Sequence, residues 1–243
     1  YGITLYINAT NNVIIDNIVR NSEKYGIYIQ ASASSNTFID NRVSNSDDYD
    51  LFVEANSTGN IFIDSDIGNY SIHSSSSLTL MNYLETKVQG SNSHPLSGVD
   101  IRIVTGNDIQ YSSSHYGGND AQTDSSGEIS EQLLAYRTYE GNTSTNHTTQ
   151  LYVWYEGTEK VLNLDMTSHR HETINLSFLI VDKNGNGHYT TLEAALSNAS
   201  AGDTVRVWAG TYYENIVVNK TITFLGNGTN PIINGSYSNF TVW

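Results

Sequence analysis

YGITLYINATNNVIIDNIVRNSEK (residues 1–24), YGIYIQASASSNTFIDNRVSNSDD (25–48) and YDLFVEANSTGNIFIDSDIGNYSI (49–72) follow one another without a gap, and their alignment decides the fold. Tyr1, Tyr25 and Tyr49 coincide, as do Asn12, Asn36 and Asn60; Asp16, Asp40 and Asp64; and Asn21, Asn45 and Asn69. Apolar residues match at Ile3/Ile27/Leu51, Leu5/Ile29/Val53, Ile15/Ile39/Ile63 and Val19/Val43/Ile67. Within a unit they alternate over short β-branched runs broken by Asn, Ser and Gly, which reads as two or three strands. A unit of 24 residues cannot bury its apolar face alone. Stacked in register at about 4.8 Å, each apolar position becomes an internal column. The expected fold is therefore all-β, with parallel β-helix coils of one repeat each over residues 1–76. Asn at the bends should bond through its amide to the next coil and tolerate left-handed backbone. Stacked like charges destabilise, so Asp16, Asp40 and Asp64 should face water or share a cation.

After Leu78 the period disappears. NYLETKVQG, SGVDIRIVTG, GEISEQLLAYRTY, TQLYVWYEG, KVLNLDM and HETINLSF are strand-like runs joined by polar turns, which predicts an antiparallel β-sandwich over 77–177. Pro95-Leu96-Ser97-Gly98-Val99-Asp100-Ile101, Thr123-Asp124-Ser125-Ser126-Gly127-Glu128-Ile129 and Tyr152-Val153-Trp154-Tyr155-Glu156-Gly157 carry a resemblance to carboxypeptidase-regulatory-like (Ig-like) modules. That resemblance implies a spacer or adhesion unit without catalysis. His169 and His171 flank Arg170 and would share one strand face, the placement of a pair of metal ligands, but no third ligand is evident.

DKNGNGHYTTLE (182–193) matches the D-x-[DN]-x-[DN]-G-x5-E spacing of a calcium loop, with Asp182, Asn184, Asn186 and Glu193 as the candidate ligands. An EF-hand needs a helix on both sides of that loop, and an apolar β-type run, INLSFLIV, precedes it. A helix should follow near 191–199, capped by Thr191, with Leu192, Ala195 and Leu196 at helical spacing. The turn from strand to helix accounts for the Gly and Asn, so the match is read as incidental and no cofactor is expected, calcium being the one this loop could take. Gly202-Asp203-Thr204-Val205, Gly210-Thr211-Tyr212-Tyr213-Glu214 and Leu225-Gly226 then make 177–235 similar to the opening of a pectin-lyase-like parallel β-helix. Residues 1–72 resemble the coil repeats of the same group, notably its NosD-like and archaeal surface-protein branches. The resemblance implies that the coils are right-handed and that 178–243 is the capped start of such a right-handed parallel β-helix, whose short helix covers the first coil.

Lys and Arg number 11 against 25 Asp and Glu, a net charge of −14, so phosphate backbones are repelled and nucleic acid is not expected as a partner. Cysteine is absent, which removes disulfides and thiolate metal sites. No apolar run approaches the roughly 18 residues of a membrane span. Eleven N-x-[ST] sequons start at Asn8, Asn56, Asn69, Asn142, Asn146, Asn175, Asn198, Asn219, Asn227, Asn234 and Asn239. About 6 are expected by chance from the composition, and the excess points to a secreted, glycosylated protein at the cell surface. The chain opens on Tyr1 rather than Met, so a processed product or a segment of something longer is expected.

A structural surface-layer or filament subunit is the expected function. The alternative is a carbohydrate-binding or polysaccharide-degrading (lyase or hydrolase) protein. No catalytic residue is assigned: Arg20 and Arg42 fall at different repeat positions, and the Asp column is too regular for a site that must break its own repeat. The cap lies late in the chain and the coils early. Tyr1, Ile3 and Leu5 at one end, with Phe240, Val242 and Trp243 at the other, would therefore bring copies together head to tail, unless the two halves stack within one chain. Glycans are the other expected partner.

Overall fold

Short strands form wherever β-branched and aromatic residues cluster in each unit, and a residue with left-handed backbone ends many of them. A computed structural model describes residues 1–235. The strands are Ile3–Leu5, Val13–Ile15 and Ile18–Arg20 in the first unit; Tyr25–Ile29, Thr37–Ile39 and Arg42–Ser44 in the second; Tyr49–Val53, Asn60–Ile63 and Asp66–Ile67 in the third. Pairing between units is parallel at an offset of 24: Ile3 opposite Ile27, Ile27 opposite Leu51, Phe38 opposite Phe62, Val19 opposite Val43. Asp16, Asp40 and Asp64 follow the second strand of each unit with φ of 55°, 53° and 45°. Asp is among the few non-glycine residues that visit this region readily, so backbone geometry accounts for the column.

Buried amides run along the stack. Asn36 and Asn60 are fully buried. Asn36 Oδ1 accepts from the Asn12 backbone N–H (3.0 Å) and from Asn12 Nδ2 (2.9 Å). Asn60 Oδ1 accepts the same pair from Asn36, both at 3.0 Å. Asn36 Nδ2 and Asn60 Nδ2 also donate to the carbonyls of Ala9 and Ala33. Asn17, Asn41 and Ser65 build a second column of this kind.

The core contains Leu5, Val19, Ile27, Ile29, Phe38, Val43, Leu51, Val53 and Phe62, with the Phe38 and Phe62 rings stacked at 4.2 Å. One expected column is displaced. Phe38 and Phe62, with the partly buried Ile14, pack into this core from the second strand, whereas Ile15 is 54 % exposed, Ile39 half-buried, and Ile63 buried but outside this cluster. The segments VII, TFI and NIFI are apolar on both faces, so alternation does not select one, and a shift of one residue exchanges the faces.

The period then shortens. Tyr70–Ile72 pairs with Leu51–Val53 at an offset of 19, and Leu78 lies opposite Asn60 at an offset of 18. The corner residue explains where. A Cβ at Gly26 would lie 2.2 Å from Val43 Cγ1, so the first two units need glycine there. The third has Asp50, whose carboxylate accepts from the N–H of Ser46 (3.0 Å) and of Asn69 (3.1 Å) and closes a tighter turn. Asn69 is therefore not the counterpart of Asn21 and Asn45, which are left-handed.

Ser77–Gln89 continues the sheet rather than ending it: parallel to Asn60–Ile63 on one side, antiparallel to Gln132–Glu140 on the other. Asp108–Ser112, Asp100–Thr105, Thr149–Tyr155 and Thr158–Leu164 form a separate antiparallel sheet in that order. Alternate residues of Thr149–Tyr155 are buried, as a strand with one covered face requires. The molecule is thus all-β, with open sheets of mixed direction and one α-helix among the described residues.

The chain divides into two compact units: residues 1–86, 99–122 and 129–172, and residues 87–98, 123–128 and from 173 onward. In the second, Phe178–Val181, Thr204–Trp208 and Thr223–Asn227 form a parallel sheet. The helix Leu192–Asn198 buries Leu192, Ala195 and Leu196 in a core with Leu179, Val181, Val205 and Val207. Thr191 Oγ1 accepts from the Ala194 N–H (3.3 Å). Glu214 accepts from the N–H groups of Leu192 (3.0 Å) and Glu193 (2.9 Å), while Lys220 donates to the carbonyls of Leu196, Ser197 and Ala199. An anion at the amino end and a cation at the carboxyl end meet the helix's orphan backbone groups and its dipole.

Candidate functional site

The strand Phe178–Val181 delivers Asp182 into the turn before the helix. Asp182 is buried; its Oδ1 accepts from the Asn184 N–H (2.9 Å) and its Oδ2 from Asn186 Nδ2 (3.0 Å). The Asn184 bond, with those from Asn186, outweighs desolvation and holds the carboxyl below its ordinary range. The backbone closes around it, with Asp182 N–H donating to Tyr189 O (2.9 Å) and Gly185 left-handed at φ 85°. Asp182, Asn184 and Asn186 are thus brought together, and Glu193 stands exposed on the first turn of the helix.

The sequons separate from the structural asparagines. Asn8, Asn56, Asn69, Asn142, Asn146, Asn175, Asn198, Asn219 and Asn234 are exposed and Asn227 is half-buried; Asn239 lies outside the described residues. The buried asparagines, Asn36, Asn41, Asn60 and Asn82, begin no sequon. Asn69 Nδ2 donates to Asp48 O (3.1 Å) and Asn198 Nδ2 to Ala194 O (2.8 Å), so the amide nitrogen that would carry sugar is already engaged at these two.

Of the residues expected at the contact between copies, Tyr1 is exposed, Ile3 half-buried and Leu5 buried; Phe240, Val242 and Trp243 lie outside the described residues. Ile3–Leu5, Val13–Ile15 and Ile18–Arg20 are terminal strands of their sheets, each paired on one side only among the described residues. Tyr6, Ile7, Val13, Ile15 and Ile18 are exposed along or beside these edges. On the outer face of the first sheet, Tyr1 stacks on Tyr28 (5.1 Å between ring centres) and Tyr25 on Phe52 (4.3 Å). Tyr28 bonds the carboxylate of Glu54, and its hydroxyl is pushed up to about 12 by burial first and then by that carboxylate.

His169, His171, Glu85 and Asp64 form a histidine–carboxylate cluster. His169 and His171, two apart at the start of the strand Arg170–Asn175, stack at 4.8 Å beside Ser77–Gln89. Glu85 on that neighbouring strand reaches both: Oε1 lies 3.2 Å from His169 Nε2, and Oε2 lies 2.8 Å from His171 Nδ1. Asp64 Oδ2 lies 2.8 Å from His169 Nδ1. The histidine spacing was visible in the sequence. Glu85 and Asp64 were not, being 84 and 105 residues from His169, and only strand pairing brings them there.

Comparison with protein-family models, curated proteins and solved structures found no match for the chain. No helix among the described residues is long and apolar enough to cross a membrane.

Proposed function

We propose that the chain is a structural extracellular surface protein built on a right-handed parallel β-helix of the pectin-lyase-like kind. It carries an Ig-like β-sandwich over 77–177, is N-glycosylated, and assembles head to tail by adding coils. The observation that carries this reading is parallel pairing at an offset of 24, with an amide ladder through Asn12, Asn36 and Asn60. Such a stack grows by strand addition, and its first coil presents three edges with apolar side chains outward. A second copy of the chain is the occupant we assign to those edges. The sequon pattern supports the surface location, since the sequon side chains avoid the buried columns.

Sedimentation and electron microscopy of the isolated chain test the assembly. Concentration-dependent oligomers or fibres are expected, reverting to monomer on Ile15→Lys, which places a charge on an exposed edge residue without entering the core. A wild-type chain that stays monomeric throughout the micromolar range ends the proposal. Intact mass of native material checks glycosylation.

One observation favours carbohydrate binding as a second reading. Tyr1, Tyr28, Tyr49 and Phe52 form an outward aromatic surface beside Glu54, and aromatic faces with an adjacent carboxylate suit sugar rings. Oligosaccharide titration of wild type and Tyr28→Ala separates it from a purely structural role.

A further inference from the structure

We propose that Glu85, His169 and His171 hold a divalent transition-metal cation of the zinc type, with Asp64 as the residue that orients His169. One ligand atom from each of the three lies within 4.8 Å of the other two. Zinc bonds of about 2.0–2.1 Å at tetrahedral angles need ligand atoms roughly 3.3 Å apart, so the three are one small side-chain adjustment from binding geometry. Glu85 and His171 have the freedom for it, their side chains being 47 % and 70 % exposed. The fourth position faces solvent and would take water, an arrangement of three protein ligands and one open site.

Asp64 distinguishes this cluster from a chance meeting of surface side chains. Its side chain is 8 % exposed and is fixed from behind by the Tyr83 N–H, which donates to Oδ1 (3.2 Å). The other oxygen faces His169 Nδ1, so with an ion bound that nitrogen would hold its proton toward Asp64, and Nε2, on the Glu85 side, would give its lone pair to the metal. A carboxylate holding one histidine nitrogen while the other ligates is the usual support of a metal-bound imidazole.

Charge argues the same way. Two carboxylates converge on His169 in a chain of net charge −14, a concentration of negative charge that favours a cation at the Glu85 side of the ring. Two imidazole nitrogens favour zinc and its first-row neighbours over calcium or magnesium, which take oxygen. The ion would tie the segment 169–171 to the strand Ser77–Gln89 and to the third aspartate of the repeat column, the member of that column recruited to a different task.

Calorimetric titration of the chelator-treated, untagged chain with zinc chloride at neutral pH is the test, with calcium and magnesium chloride as comparators. One equivalent of zinc should bind at micromolar affinity or tighter, with no calcium or magnesium uptake at this cluster. His171→Ala should abolish binding while leaving the metal-free melting temperature unchanged, because the side chain is exposed. Asp64→Asn keeps the oxygen that Tyr83 needs and should weaken binding about 10–100-fold at unchanged stoichiometry. Zinc should raise the melting temperature of wild type but not of His171→Ala. Absence of zinc uptake overturns the proposal. Equal uptake by His171→Ala and His169→Gln overturns it too, placing the metal on other histidines such as the stacked pair His94 and His188.

Discussion

The stack of residues 1–72 and the segment 173–235 are both built on parallel strands, yet they satisfy their backbones in opposite ways. In the stack, the donors and acceptors at each bend are met by the same residue type one unit away, Asn12 to Asn36 to Asn60. In 173–235 the offsets are 26 and then 19, nothing repeats, and each turn is closed by a residue used once. Asp182 closes the turn before the helix, Asp203 accepts from the Ser200 N–H (2.7 Å), and Glu214 and Lys220 hold the helix ends. A periodic solution couples every unit to its neighbours, so damage spreads along it. A set of singular solutions confines damage to one turn.

That contrast can be broken most forcefully at the stacked rings. Phe38→Ala should cost about 3–5 kcal/mol as a core cavity, and faster hydrogen exchange should reach the units on both sides of it. Ile39→Ala, at the half-buried neighbour, should cost about 1 kcal/mol. Equal costs for the two would reverse the assignment of faces on that strand.

Next comes the ladder. Asn36→Ala removes two bonds accepted and two donated in a fully buried position, for about 2–4 kcal/mol. Accelerated exchange of the Asn12 amide together with lower urea stability is the expected signature. An effect restricted to residue 36 itself would mean that the units are not coupled.

A pH effect should arise in the other region. Burial first, and then the neighbouring His94, depress His188 to about 4, and its Nδ1 accepts from the Ile180 N–H (3.2 Å). The unfolded chain therefore binds the proton more readily. The stability this neutral imidazole contributes is present above about pH 6.5 and is lost as pH falls toward 4; solvent screening of the partly exposed ring lowers it from a ceiling of roughly 3 kcal/mol to about 2 kcal/mol. Urea midpoints across this window for wild type and His188→Gln measure it; identical slopes would remove His188 from the account. The smallest effect is expected for Glu214→Ala, about 1 kcal/mol. Exchange should quicken at Leu192 and Glu193 while residues 1–72 keep their protection.

By itself the sequence determined what is written locally or periodically. The spacing of 24, the identity of Asn12, Asn36 and Asn60 as a ladder, and the helix capped by Thr191 all follow from short-range pattern, and all stand in the structure. Tertiary structure decided the rest. Phe38 rather than Ile39 faces inward because a strand apolar on both sides leaves the choice to packing. The stack passes into an antiparallel sheet at Ser77 because that strand finds Gln132–Glu140, a partner more than forty residues away whose pairing no local pattern specifies. Glu85 and Asp64 reach His169 by the same route. Periodicity encodes contacts between equivalent positions, whereas contacts between unlike strands depend on which edges remain free once the local structure has formed.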